Sequence, residues 1–181
     1  ATIHLLAGEA GGLRIPGFGL GNSPREFTRE AVDGREVILT TSNGTRTLRA
    51  VGEGRAVAIG AFLNRSAVGR WLVSRKADGL IVCSGYEGGF SLEDAVCAGA
   101  IVEHVASLAT RLALGDGARA CQALWKEFGA DVPRLLQNTA WGQRIATMGF
   151  LPDVEICASV DVTDVVPTME GNRITRGAPR V

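Results

Sequence analysis

The chain has 181 residues, 46% hydrophobic and 21% charged, which suits one soluble globular domain over residues 1–181. Nineteen Lys+Arg balance nineteen Asp+Glu, so the net charge is zero and the basic excess of a nucleic-acid binder is absent. No apolar run reaches the ~18 residues that a membrane span needs. Glycine is in excess, 24 of 181, without a collagen-like period.

The zero net charge hides a split. Residues 1–76 hold 11 Lys+Arg against 6 Asp+Glu, whereas residues 77–181 hold 8 against 13. Seventeen of the 19 basic residues are Arg, whose planar fork suits bidentate recognition of carboxylate and phosphate. A basic half and an acidic half could also pair between copies in a homo-oligomer. Cysteines at 83, 97, 121 and 157 form no CxxC pair and no zinc-ribbon spacing, so they are expected to be free, buried thiols of a cytoplasmic protein.

In chain order, apolar runs of strand length at residues 3–7, 36–40, 56–60 and 80–83 predict buried strands. The chain enters the first of these almost at once, and an N-terminal segment is expected to be missing. Between the strands, helical spacing is found over 45–51 and again after a potential N-cap at Asn64, where Ala67, Val68, Trp71 and Leu72 form a stripe. The strongest predicted helix runs from Ser91, with Asp94 completing a capping-box-like start, to Leu112, and Gly115-Asp116-Gly117 is expected to end it. Further helices are expected over 118–128, from a cap at Asp131 through Asn138, and over 139–148. The tail has strand-like pieces, among them 164–167, and a hairpin turn at Glu170-Gly171-Asn172. Strand and helix alternating in this way predict an α/β fold, three layers with helices on both faces of a mainly parallel or mixed central sheet.

Ligands in such sheets sit beyond the C-terminal strand ends. That rule selects the loops after Ala7, Leu39, Ile59 and Cys83, all rich in Gly, Ser, Thr and Asn. Thr40 to Thr45 stands between a strand and a helix start, an arrangement that aims N–H groups and hydroxyls at an anion. Simple helix capping by Ser42 or Asn43 is the other reading of the same residues. The spacing is not that of a P-loop, Gly17 to Gly21 is not a dinucleotide fingerprint, and Gly89 stands where a Cys-x5-Arg phosphatase needs Arg. The only histidines, His4 and His104, lie in a strand and inside a helix, which argues against a Ser-His-Asp triad. Glu9, Glu87, Glu93 and Asp94 fall at strand ends or at a helix start, where carboxylates suit a hard cation such as Mg2+ bridging to phosphate.

Segments along the whole chain carry a family resemblance. They are Ala7-Gly8-Glu9, Gly12-Leu13-Arg14-Ile15-Pro16-Gly17-Phe18, Leu20-Gly21-Asn22-Ser23-Pro24 and Leu39 through Arg46. Gly60 to Asn64, Phe90 to Asp94, Cys97 to Ala100, and Cys157-Ala158 with Asp161 through Pro167 complete the set. In these the chain resembles the 2-phosphosulfolactate phosphatases of coenzyme M biosynthesis. The resemblance implies an α/β/α phosphatase that uses Mg2+ to hydrolyse a phosphate monoester of a 2-hydroxy acid bearing a second acidic group. It implies catalytic roles for Glu9, Asn43 and Thr45, and metal binding by Glu9, Glu93 and Asp94. Substrate contacts fall to Arg14, Asn22, Ser23, Ser42, Gly44, Arg46, Asn64 and Glu87. The chain departs from the family pattern where an upstream Asp-Val-x-Arg-Ala-type strand end is absent, and where Gly19 and Gly89 replace charged residues. A non-catalytic anion-binding protein on the same fold, or a phosphatase for another 2-phospho acid, are the alternatives. The attacking group is left open between water and a carboxylate.

Overall fold

A computed structural model describes residues 3–52 and 56–177. Strand β1 (Ile3–Ala10) turns through Gly11-Gly12 into the short β2 (Leu13–Arg14). The chain then runs back along β1, with the N–H of Gly8 donating to the Leu20 carbonyl, and passes through a helical turn, α1 (Arg29–Val32), into β3 (Arg35–Thr40). β1 and β3 are parallel, in register from Ile3 opposite Arg35 to Gly8 opposite Thr40. A Cβ on Gly8 would lie 2.0 Å from the Thr40 carbonyl oxygen, so only glycine allows the two strand ends this close.

Helix α2 (Gly44–Val51) follows directly. The two-residue strand β4 (Val57–Ala58) precedes α3 (Arg65–Ser74). The long α4 (Leu92–Leu108) begins at Ser91, whose hydroxyl accepts the Asp94 N–H, and Glu93 and Asp94 complement its dipole. α5 (Asp116–Phe128), α6 (Val132–Asn138), α7 (Ala140–Thr147) and α8 (Leu151–Cys157) come next, and the hairpin β5 (Thr168–Glu170) and β6 (Arg173–Thr175) ends the described chain. β5 pairs antiparallel with β4 and with β6. Arg173 on β6 forms an ion pair with Glu36 on β3, linking the two small sheets.

The core lies among the helices. Val96 and Ala100 of α4 are completely buried and pack with Phe62, Val132, Leu135, Leu136, Val154 and Ala158. α4 crosses α5 closely, because a Cβ on Gly99 would come within 1.9 Å of the Cys121 carbonyl oxygen. Each of α6 and α7 starts with a side-chain cap, Asp131 accepting from the Arg134 N–H and Thr139 from the Gly142 N–H.

Several expectations are corrected. The fold is mixed helix and strand, and β2-β1-β3 is a mixed sheet as expected, but the strands fall into two three-stranded sheets rather than one central sheet. Residues 80–83 form no strand, and Leu80 is 85% exposed, because that apolar run meets no partner strand. The sheet strands are less buried than two covering layers would make them: Leu6, Ile38 and Leu39 are all exposed. Only residues 57–58 of the expected 56–60 strand are extended with a partner. α4 stops at Leu108 rather than Leu112, since Ala109 turns to extended backbone and the residues beyond have no buried face to sustain a helix. Gly115 caps the start of α5 instead of ending α4. Residues 164–167 lie extended without forming a strand, although the Pro167 carbonyl accepts the Ile59 N–H. Cys83 and Cys157 are exposed rather than buried, and all four thiols are free.

Candidate active site

The parallel strand ends are tied together by one carboxylate. Glu9, buried at the end of β1, accepts the Ser42 N–H at 2.6 Å through Oε1. Its Oε2 accepts the Gly12 N–H at 2.7 Å and the Ser42 hydroxyl at 3.0 Å. The Ser42 Oγ in turn accepts the Gly11 N–H at 3.3 Å. A carboxylate offers about four acceptor positions, so three donors leave Glu9 little spare capacity.

The turn after β3 is closed just as tightly by Thr41 and Thr45. The Thr45 hydroxyl donates to the Thr41 carbonyl and accepts the Thr41 N–H, while the Thr41 hydroxyl accepts the Thr45 N–H. The Asn43 carbonyl accepts from Arg46 and Thr47. Asn43 makes no side-chain cap bond, and the N–H groups of Asn43 and Gly44 have no protein partner among the described residues. Neither Ser42 nor Asn43 caps the helix through its side chain, because Thr41 supplies the acceptor for the Thr45 N–H instead. Ser42 and Thr45 build the turn, whereas Asn43 and Gly44 are the groups it leaves available to an anion.

Two adjacent cavities open beside this turn and share Asn43, Tyr86 and Trp141. The smaller, about 190 Å³, is lined also by Ser84, Gly85, Ser91, Glu93 and Asp94. Asp94 Oδ2 accepts the Gly85 N–H at 2.8 Å, which fixes the carboxylate against the loop. The larger, about 250 Å³, adds Glu9, Gly11, Ser42, Arg46, Glu87 and Arg144. One cavity is thus acidic, and the other sets two guanidinium groups beside the carboxylates of Glu9 and Glu87. Both are of a size for small polar ions rather than bulky ligands.

Of the residues expected in the site, Glu9, Ser42, Asn43, Arg46, Glu87, Glu93 and Asp94 line these cavities. Arg14, Asn22, Ser23, Gly44, Thr45 and Asn64 line neither. The Arg14 guanidinium is 3.9 Å from Glu26, and the Ser23 hydroxyl accepts the Arg25 N–H. Asn64 is buried, accepting the Ala61 N–H and donating to the carbonyls of Ile59 and Val165, so it binds the chain to itself. Glu9 faces the larger cavity and Glu93 and Asp94 the smaller, and no three His, Cys, Asp or Glu side chains converge on one point among the described residues. An Mg2+ ion needs only one or two carboxylates beside substrate oxygens and water, and the Glu93 and Asp94 pair fits that donor set. Partial burial of the Cys83 thiol, with Asp94 and Cys121 nearby, pushes its pKa up to about 11, which disfavours the thiolate that a nucleophile needs. Burial likewise pushes Cys97 up to about 12.

Trp141, Tyr86 and Arg144 escaped the sequence reading. Trp141 and Arg144 lie on α7, about a hundred residues from the Asn43 turn, and a single Arg on a helix gives no sequence signal. The Gly11-Gly12 turn packs against Trp141, since a Cβ on Gly12 would meet its ring at 3.0 Å.

The sequence profile of a family described as 2-phosphosulpholactate phosphatase matches residues 2–172. The chain belongs to the 2-phosphosulpholactate phosphatase family. A probable 2-phosphosulfolactate phosphatase of Caldanaerobacter subterraneus subsp. tengcongensis is 39% identical over 172 residues, covering 95% of this chain and 70% of the relative. Proteins of the same description from Microcystis aeruginosa and Thermotoga petrophila are each 38% identical, over 91% of this chain and 69% and 70% of their own lengths. The 2-phosphosulpholactate phosphatases are by name phosphoric monoester hydrolases, acting on a small phosphorylated substrate. No helix among the described residues is long and apolar enough to cross a membrane.

Proposed function

We propose that this protein hydrolyses 2-phosphosulfolactate to sulfolactate and inorganic phosphate. Water adds to phosphorus, the bond from phosphorus to the 2-oxygen breaks, and that oxygen takes a proton. The observation that carries the reading is the pair of adjoining cavities meeting at Asn43, one acidic and one with two arginines beside two glutamates. Such a substrate presents a phosphate beside two further acid groups. Family membership and the names of the relatives support the same substrate, and through it a place in coenzyme M synthesis.

In this reading the Asn43 side chain and the N–H groups of Asn43 and Gly44 donate to the phosphoryl oxygens. The α2 dipole adds to their pull on negative charge. Ser42 and Thr45 keep those donors pointed, and Glu9 holds the turn in place. Arg46, on the wall of the larger cavity, pairs with an acid group of the substrate. Glu93 and Asp94 would hold Mg2+ in the smaller cavity, where the ion's chemistry is to neutralise charge on phosphoryl oxygens. We also place the protein in the cytoplasm, with association of copies through their basic and acidic halves.

The test is phosphate release from a panel of 2-phosphosulfolactate, phospholactate and a simple alkyl phosphate, with and without Mg2+. Turnover that favours the sulfonated substrate and needs Mg2+ supports the reading. Sulfolactate or phosphate binding without any hydrolysis would replace it with an anion-binding protein.

A further inference from the structure

We propose that Arg144 is a substrate-recognition residue that Glu87 occupies until the substrate arrives. The inference rests on the proposed function and assigns the second cation of its larger cavity.

Arg144 is held on a rigid support. The Thr139 hydroxyl caps α7 by accepting the Gly142 N–H at 3.0 Å and donating to the Leu136 carbonyl at 3.1 Å. Ile145, the next residue, packs against the helical core. From this base Arg144 reaches the wall of the larger cavity, which it shares with Arg46. Its guanidinium lies 5.9 Å from the Trp141 ring centre, and Nη1 donates to the Tyr86 hydroxyl at 3.4 Å. Tyr86 and Trp141 are tilted by 43° with ring centres 5.5 Å apart, so the cation rests near the Trp141 ring and against the Tyr86 hydroxyl.

The present partner of Arg144 is Glu87, whose Oε1 is 3.5 Å from Nη1. This carboxylate is 69% exposed, and a contact so long and wet is weak. Glu87 also sits on strained backbone. Tyr86 and Gly89 exchange both backbone hydrogen bonds around a two-residue turn, which forces φ to +50° at Glu87 and +78° at Gly88. Glycine takes that conformation freely, whereas a residue with a side chain is strained there. Strain of this kind gathers at ligand clamps and switches. Here it presents a carboxylate to a guanidinium on the wall of the larger cavity.

A substrate with a carboxylate and a sulfonate brings two planar or three-oxygen acid groups to a cavity with two guanidiniums. Arg46 forms no ion pair among the described residues and can receive one directly. Arg144 receives the other by exchanging it for Glu87. The exchange keeps the guanidinium paired throughout and makes a substrate with one acid group bind at a disadvantage.

The experiment is calorimetric binding of sulfolactate to the full chain, with KM and kcat for phosphate release from 2-phosphosulfolactate measured beside it. Arg144→Gln is expected to weaken sulfolactate binding at least tenfold and raise KM with little change in kcat. Arg144→Lys should recover part of the loss. Glu87→Gln should act in the opposite direction and tighten binding several-fold, a sign that no merely structural role would produce. Unchanged binding in Arg144→Gln, unchanged or weakened binding in Glu87→Gln, or no sulfolactate binding by the unaltered protein overturns the proposal. Binding that follows the expected pattern without any phosphate release would sink the hydrolase reading and leave the Arg144 assignment standing. Normal hydrolysis with an indifferent Arg144→Gln would do the reverse.

Discussion

Glu9 accepts the Ser42 N–H at 2.6 Å, so a carboxylate at the end of one parallel strand fixes the turn at the end of the other. Glu9 is in this structure a fastening between two loops. Replacing Glu9 by Gln puts an NH2 where the carboxylate faces only donors. Loss of one or two buried bonds should cost about 1–3 kcal/mol. The same change should lower phosphate release at least tenfold, because the Asn43 donors are no longer held. Thermal melting and turnover, measured on one preparation, check both halves. A variant that melts and turns over like the unaltered protein would show that Glu9 does neither.

Gly8→Ala tests the closeness of the two strands. The new methyl would meet the Thr40 carbonyl oxygen at 2.0 Å on backbone with φ of +145°, so the strands must separate. A loss of about 3 kcal/mol, read as a fall in melting temperature of roughly 10 °C, is expected. A shift of a degree or less would mean that the strand ends have room to move.

Asp161 fastens the tail to α3, accepting the Ser66 N–H at 2.8 Å, the Ser66 hydroxyl at 2.7 Å and Arg65 Nε at 2.8 Å. Burial opposes its charge, but these donors prevail and hold its pKa below the usual 3.8. Its folded pKa is depressed, so the stability it contributes is complete above the unfolded value and is lost as pH falls through the folded one. Asp161→Asn should therefore lower stability by about 1 kcal/mol at pH 7. The gap between the two proteins should close below pH 3.8, which melting curves from pH 7 to the acid limit will follow.

His104 Nε2 is buried without a hydrogen-bond partner among the described residues. Burial first, then Arg65 and Arg70, depress its pKa below 6.5, outweighing the opposite pull of Asp161. An unfolded chain then binds the proton more readily than the folded one, so stability falls as pH drops below 6.5 toward the folded value. His104→Gln should flatten the melting temperature between pH 7 and pH 5, where the unaltered protein declines. An equal decline in both would place the pH dependence elsewhere.

What the sequence disclosed was local. The caps at Ser91 and Asp131, the helix from Gly44 and the turn at Gly171 each depend on bonds within a few residues, so residue type and spacing are enough to find them. The sheet was less legible, because an apolar run such as 80–83 becomes a strand only when a distant partner lies beside it. α8 went unseen for a different reason: it is seven residues long, and Pro152 in its first turn reads as an interruption. In the candidate site, the Asn43 turn was visible as a cluster of small polar residues. Arg144 was not, since its meaning comes from Trp141, Tyr86 and Arg46 beside it, which only the folded chain brings together.

The pairing of β4 has a consequence for the order in which the molecule forms. Val57 finds its partner at Met169, and the Asn64 side chain donates across 101 residues to the Val165 carbonyl. A ribosome delivers these halves seconds apart at ~5–20 residues per second. During that interval the backbone pairing of β1 with β3 and the Glu9 clasp need nothing beyond residue 42. The turn after β3 can therefore be assembled early, while the segment around Asn64 stays open until the tail emerges and sews it shut.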